Sequence, residues 1–369
     1  MRFTCEKSML VQGLNIAGRT VAQKSSLSVI EGILCKAGMD ISLTGYNMET
    51  AITYQIDAEV TDPGDCILPA KLFGDIVRRL PEGPVTVVVD ENYKVSIRAG
   101  YASFTISAES AEDYPELPDV NAGRSIQIPQ NKLKELISGT IFAVSENQGR
   151  PIHTGVKFEV ESDRISAIAV DGFRLARRTW HADSPIGRDL SFVVPNQGLK
   201  EVEKILTDSD EEASFTPGPK HILYQIGNAT LVCRLLDGEF LDWRKVVPTN
   251  CPVKLTANVS DLSASIERVG LIVSEKYKSP VRCVFSTNEL LVRTNTTIGA
   301  AEDRCPIAGD GKELEIGFNV RYLADALRVI PSEEVVLELT NGLSPIVLTP
   351  AEEKYDYSYM VLPVRIKNG

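Results

Sequence analysis

Histidine is scarce in this 369-residue chain: His153, His181 and His221 are the only three, and no two of them stand at a metal-ligand spacing such as HExxH, so metal chemistry has little to build on. Seven cysteines, Cys5, Cys35, Cys66, Cys233, Cys251, Cys283 and Cys305, are an odd and scattered set without a CxxC pair. They suggest neither a zinc site nor a disulfide framework and read as free thiols, used as small apolar residues in a reducing compartment. No uncharged apolar run approaches bilayer length, and the opening MRFTCEKSML carries charges where a signal peptide has its apolar region. A cytoplasmic chain with no membrane contact is expected. A nucleophile elbow, a phosphate loop, a dinucleotide fingerprint and a His-based triad are also missing, so no cofactor is expected. An enzyme would have to rest on Asp171 with Arg174, or on the carboxylate pair Asp237 and Glu239, and such pairs are common on surfaces.

The composition that is present, 43% hydrophobic and 24% charged, is that of a globular protein. The length implies two or three domains. A net charge of −11, from 39 Lys plus Arg against 50 Asp plus Glu, argues at first against a phosphate-bearing partner. The distribution of those charges matters more than their sum, and it depends on how the chain is organised.

The chain repeats itself with a period near 124 residues. SLTGYNMETAI (42–52), SAIAVDGFRLA (166–176) and RTNTTIGAA (293–301) bring Asn47, Asp171 and Asn295 into register. Each follows an apolar run and precedes a second one, the pattern of a strand, a turn and a return strand. A first helical pattern recurs with Leu10 and Leu14, Leu133 and Ile137, and Leu262 and Ile266 as i, i+4 apolar pairs. A second recurs in PAKLFGDIVRRLPEG, PNQGLKEVEKIL and NVRYLADALRVIP, aligning Asp75, Glu201 and Asp325. Strand-like alternations and an aromatic, proline-bearing stretch close each repeat. The reading is α+β: three repeats, 1–121, 122–250 and 251–369, each with two helices packed on antiparallel sheet. Three unrelated domains of like composition are the weaker alternative, because helices and turn recur in one order.

The six helical windows, 7–24, 69–80, 130–150, 195–206, 259–278 and 318–330, hold 16 Lys plus Arg and 9 Asp plus Glu. A cationic set of helices within an acidic chain fits a helix-lined surface for phosphate, although Lys and Arg also favour helices without function. No recognition helix or stacking motif is present, so any contact with nucleic acid would be to the backbone.

LPAKLFGDIVRRLPEG, AVDGFRLARR, LLDGEFLDWRKVVP, EIGFNVRYLADAL and the terminal YMVLPVR, in this order along essentially the whole chain, resemble the bacterial sliding clamp, the beta subunit of DNA polymerase III. The resemblance implies three DNA-clamp domains forming half of a six-domain ring, a homodimer that encircles double-stranded DNA. It further implies a non-catalytic processivity factor that tethers the polymerase III catalytic subunit, the clamp loader and other peptide-motif proteins. A protein-only peptide-binding scaffold that does not encircle DNA is the competing reading.

By the same resemblance, the partner-peptide pocket falls on Val170, Gly172, Phe173, Arg174 and Leu175, on Leu241 and Val246, and on Tyr277, Asn319, Tyr322, Leu343 and Pro345. Met360, Val361, Leu362, Pro363, Val364 and Arg365 complete it, with His153 where the family often has an aliphatic residue. Removal of residues 360–369 is expected to abolish peptide binding with little effect on melting. Lys24, Lys71, Arg78, Arg79 and Arg150 are the candidates facing DNA. Pro151, Ile152, Asn196 and Gln197 stand where basic or aromatic residues are common, so DNA contact from the second repeat is expected to be weak. Phe104 and Ile106 of one chain, with Leu271 and Ile272 of the other, are the implied dimer contacts. The tail Lys367, Asn368 and Gly369 runs slightly past the usual ending.

Overall fold

The computed structural model describes residues 1–120, 124–186, 189–273, 280–309 and 313–366. All six expected helices form, each shorter than its window: α1 (Lys7–Ala17), α2 (Ala70–Arg79), α3 (Gln130–Ser138), α4 (Asn196–Ile205), α5 (Val259–Gly270) and α6 (Val320–Arg328). The largest shortfall is α3. Its next residue is Gly139, where a Cβ would lie 2.6 Å from Arg178 Cδ, and the chain turns away there. Asparagine caps α5 and α6: Asn258 Oδ1 accepts from the N–H groups of Ser260 and Asp261, and Asn319 Oδ1 from that of Arg321. Pro69 leads into α2, whose Phe73, Ile76 and Val77 are buried while Arg78 and Arg79 occupy its last turn, a favourable place for cations.

The shorter helices narrow the expected charge segregation. Together they carry 11 Lys plus Arg and 7 Asp plus Glu. Arg19, Lys24 and Arg150 lie beyond helix ends, and Lys276 and Lys278 lie outside the described residues.

The chain sorts into two compact units, residues 1–133 with 197–235 and residues 134–196 with 236–369. The first unit holds two antiparallel sheets. One runs in the order Glu59–Asp62, Arg2–Glu6, Pro84–Val89, Lys94–Ala99 and Ala102–Ser107. The other runs Ile126–Pro129, Glu212–Pro217, His221–Ile226, Ala229–Arg234, Thr50–Ile56, Ile41–Tyr46, Gly32–Ala37 and Gly64–Pro69. Leu10 and Leu14 of α1 join Phe73 and Val77 of α2 in a core against Leu43, Ile56, Val85 and Ile97. Gly45 lets α1 come close, since a Cβ there would stand 2.1 Å from Ala17 O.

The second unit is built on one run of twelve strands: Leu190–Pro195, Gly155–Val160, Arg164–Val170, Arg174–His181, Tyr357–Val361, Ile346–Pro350, Glu334–Leu339, Val253–Asn258, Gly299–Gly309, Glu289–Thr296, Val281–Phe285 and Leu314–Phe318. Phe285 and Phe318 of its strands and Leu262 and Ile266 of α5 are buried.

One joint occurs twice, once in each unit. The return strand Thr50–Ile56 pairs with Ala229–Arg234, Ile52 facing Leu231, and the return strand Arg174–His181 pairs with Tyr357–Val361, Ala176 facing Tyr359. In both, the return strand of one repeat joins the closing strand of the next, which is why compact units cut across the middle repeat. The remaining return strand, Gly299–Gly309, meets Val253–Asn258 only through Ile307–Gly309 register, at residues 307–309. Among the described residues its 299–306 stretch has no strand on the outer edge, and the closing strand Ala102–Ser107 is likewise an edge.

All seven cysteines are free and buried, and burial pushes the Cys66 and Cys283 thiols up to about 12. A disulfide reagent at pH 8 is therefore expected to leave the native thiols unlabelled over minutes and to react with seven per chain in denaturant. Rapid native labelling would contradict the packing.

Candidate functional site

The turn at 171–174 is wound by its own aspartate. Asp171 Oδ1 accepts from the N–H groups of Phe173 (2.9 Å) and Arg174 (3.0 Å), and Gly172 takes the positive φ of +92° that the turn needs. Phe173 is thereby held outward, 60% exposed, with its ring stacked on Tyr322 of α6 at 6.2 Å between centroids. Arg174 turns inward. Its Nε meets Asp171 Oδ2 at 2.9 Å and its Nη1 meets Asp325 Oδ2 at 2.6 Å, while the guanidinium lies 4.5 Å from the Tyr322 centroid. This side chain fastens the turn to α6.

The C-terminal segment forms the next wall. The Leu362 N–H donates to Phe173 O at 2.8 Å, and the Val364 N–H donates to Gly317 O at 2.7 Å. Beneath, Ile168, Leu175, Val347 and Met360 are buried together, and Phe240, Trp243, Val247 and Leu362 pack on them. Leu241, Val246, Leu343 and Val364, each within four residues of a member of this cluster or of those packed on it, are exposed apolar side chains.

The connection that brings Leu241 and Val246 here is itself clamped. Trp243 Nε1 donates to Glu159, Arg244 Nη2 donates to Glu159 Oε2 at 3.0 Å, and the indole lies between Arg244 (4.5 Å) and Arg177 (5.1 Å). Burial pushes the Glu159 carboxyl up, but hydrogen bonds from Lys157, Arg244 and Trp243 outweigh it and hold the group below its ordinary range. His153 sets its ring edge against Phe240 at 5.3 Å, and burial, then Arg150, pushes its pKa down, so it is neutral near pH 7.

Of the expected pocket residues, Gly172, Phe173, Tyr322 and Leu362 meet around the turn, Leu175 and Met360 lie in the floor, and Leu241, Val246, Leu343 and Val364 are exposed. Pro345 is half-buried beside Leu343, and Pro363 and Arg365 flank Val364. Val170 and Val361 are buried behind the surface, Asn319 spends its side-chain oxygen on the α6 cap, and Tyr277 lies outside the described residues. Ile168, Phe240, Trp243, Val247, Asp325 and Val347 are additions. The aromatic run EFLDWRKVVP and the aligned acidic position of α6 are the sequence signals from which Phe240, Trp243 and Asp325 could have been found.

At the first joint the corresponding helix packs closely on the closing strand. The position of Tyr322 is there Gly198, where a Cβ would fall 2.4 Å from Cys233 Sγ, so helix and closing strand are already in contact. An aromatic residue thus stands at one joint where the other has a tightly packed glycine.

The candidate cations are exposed, but not all act alone. Arg78 and Arg79 of α2 both reach Asp75, whose carboxyl is held below its usual range chiefly by the Arg78 hydrogen bond. Lys71 shares that helix, while Lys24 and Arg150 stand on loops. At the strand edge, Phe104 is exposed and Ile106 half-buried. Leu271 and Ile272 fall in the turn just past α5 rather than on the helix, and Leu271 is 83% exposed.

Three repeats of a two-helix, antiparallel-sheet unit define the DNA-clamp class. Sequence profiles of the DNA polymerase III beta subunit match its N-terminal domain at residues 1–118, its central domain at 127–242 and its C-terminal domain at 244–365. The Beta sliding clamp of Bacillus subtilis strain 168 is 31% identical over 378 residues, spanning 99% of this chain and 100% of that protein. The crystal structure of the DNA polymerase sliding clamp from Bacillus subtilis superposes with a TM-score of 0.94 at 30% identity, covering 100% of both chains. That of the DNA polymerase III subunit beta from Pseudomonas aeruginosa gives 0.92 at 30%, covering 99% of this chain and 100% of that one. The chain belongs to the DNA polymerase III beta subunit family, the bacterial sliding clamps.

Proposed function

We propose that the protein is a DNA polymerase processivity factor, a homodimeric ring of six clamp domains, 1–121, 122–250 and 251–369 in each copy, that encircles duplex DNA. Its pocket tethers the replicative polymerase, the clamp loader and other proteins carrying an apolar peptide motif. It acts in the cytoplasm and has no catalytic step of its own.

The observation that carries the reading is the joint left open. Two of the three repeats use their return strand to hold the next repeat, and the third return strand and the first closing strand both keep bare edges. A bare, apolar edge invites pairing. Carrying the register of the two formed joints to these strands sets Phe104 opposite Glu302 and Ile106 opposite Ala300 of a second copy. The counterparts of Phe104 and Ile106 at the first joint, Leu231 and Cys233, are 1% exposed each, whereas Phe104 is 40% exposed. Two copies closing both open joints make a ring.

The test is topological. Protein placed on nicked circular DNA should remain there through gel filtration and leave once the DNA is linearised; equal retention on both forms would refute encirclement. Replacing Lys24, Arg78, Arg79 and Arg150 with alanine should weaken duplex binding and reduce its salt slope by roughly two to four, with no change in preference among sequences. The shared Asp75 sets the lower figure, because part of the charge of Arg78 and Arg79 is already balanced. A strong sequence preference in the unaltered protein would contradict backbone-only contact.

A further inference from the structure

The third hairpin is longer than its two counterparts. In the second repeat the last strand pair before the turn is Val170 with Leu175, whereas in the third the pairing runs on through Asn295 with Ala300 to Thr296 with Gly299. When Val170 and Thr294 are matched through their partners Leu175 and Ala301, the third hairpin has two extra residues and a tip that projects further. At that tip Ile298 is 71% exposed.

A groove lies where such a tip would arrive. In the first unit a cavity of about 490 Å³ opens beside α2, lined by Pro69, Lys71, Leu72, Ser107, Ala108 and Glu109 among others. Ser107 ends the edge strand Ala102–Ser107, and Ala108 and Glu109 directly follow it. Leu72 is half exposed, at 50%. Alignment of Asp75 with Asp325 places Leu72 at the position of Tyr322, the residue on which the turn side chain Phe173 stacks in the second unit.

The two formed joints also show how the chain enters this region. In each, the N–H two residues past the pairing centre of the closing strand donates to the turn: Arg234 to Glu49 O at 3.1 Å, and Leu362 to Phe173 O at 2.8 Å. The same register at the open joint gives Ser107 to Gly299 O and draws residues 296–298 along Ala108 and Glu109. We infer that the groove beside α2 is the socket for the hairpin tip of a second copy, with Ile298 seated on Leu72 as an apolar latch at each closing joint.

This inference rests on the homodimer reading and adds a contact that strand pairing alone does not require. An apolar tip on an apolar helix position gains from leaving water and depends little on salt, unlike an ion pair at the same place. Both side chains are exposed in the single chain, so their replacement should spare its fold.

A mixture of two variants tests it. A Leu72→Cys chain and an Ile298→Cys chain, combined and treated with a short bismaleimide, should give a covalent species of two chains, since the native thiols are buried. Sedimentation of Leu72→Ala, Ile298→Ala and the double variant should show each single change weakening the dimer by about tenfold, with the double change weakening it less than the product of the two. No cross-link and strictly multiplicative effects, in a protein that still dimerises, would overturn the latch and leave the dimer standing. A parent protein that stays monomeric at micromolar concentration would instead overturn the homodimer reading itself.

Discussion

A chain ending at Leu362 is expected to lose most of its affinity for polymerase-type peptides while melting within a few degrees of the full-length protein. Pro363, Val364 and Arg365 belong to the proposed pocket, and the backbone tie lost with them is one hydrogen bond, Val364 to Gly317. Such a bond contributes about 1 kcal/mol. A cut before Met360 has a different consequence from the one expected of a surface tail. Tyr357–Val361 is an interior strand, paired on one side with Arg174–His181 and on the other with Ile346–Pro350, and Met360 and Val361 are buried. Removing residues 360–369 would therefore unseat the joint itself and lower the melting temperature along with the affinity. Phe173→Ala separates the two effects: it should weaken peptide binding by roughly 1–3 kcal/mol and leave melting unchanged, because the ring touches Tyr322 and solvent. Peptide affinity that survives both Phe173→Ala and the Leu362 truncation would remove the pocket from the account.

Leu271→Ala with Ile272→Ala is expected to give a folded chain that sediments as a monomer. Leu271 is mostly exposed, just past α5. At the first joint, Arg19, just past α1 of one repeat, pairs with Glu201 on the second helix of the next. In the proposed ring, the repeat would set Leu271 and Ile272 against the α2 region of a second copy, and the family resemblance adds Phe104 and Ile106 of that copy as their contacts. Full burial of two such side chains is worth roughly 3–6 kcal/mol at the upper bound, or about a hundredfold or more in dissociation constant. A double variant that stays fully dimeric at nanomolar concentration would assign closure to the strand edge and the hairpin tip alone.

Local pattern carried the helices, because each shows apolar residues at i, i+3 or i, i+4 spacing, and Pro69, Pro81 and Pro331 mark three of their ends. It carried the turn at 171–174 too, since an aspartate followed by glycine is a local device that needs no distant partner. It failed where distant partners decide. Just past the end of α3, Arg178, forty residues on, fills the space beside Gly139. Arg174 reads as a pocket side chain until Asp325, 151 residues away, is found to hold it. The pairing of Arg174–His181 with Tyr357–Val361 leaves no mark in either strand, so neither the merged sheets nor the interior place of Met360 could be read from alternation. The pocket floor is legible only after that pairing is known, because Ile168, Val347 and Trp243 reach it from three separate stretches of chain.

The claim on which everything turns is that the open joint closes between copies in the register of the two formed joints. At the first of these, Val232 faces Ala51, which maps onto Thr105 opposite Ala301 of the second copy. Residues directly opposite on antiparallel strands hold their Cβ atoms about 5 Å apart. A chain carrying Thr105→Cys and Ala301→Cys, treated with a short bismaleimide, should become a covalently closed dimer of two 40.4 kDa chains that stays on circular DNA even in denaturant. A product that remains single-chain under the same treatment, from a protein that is otherwise folded, would contradict the closed ring in this register.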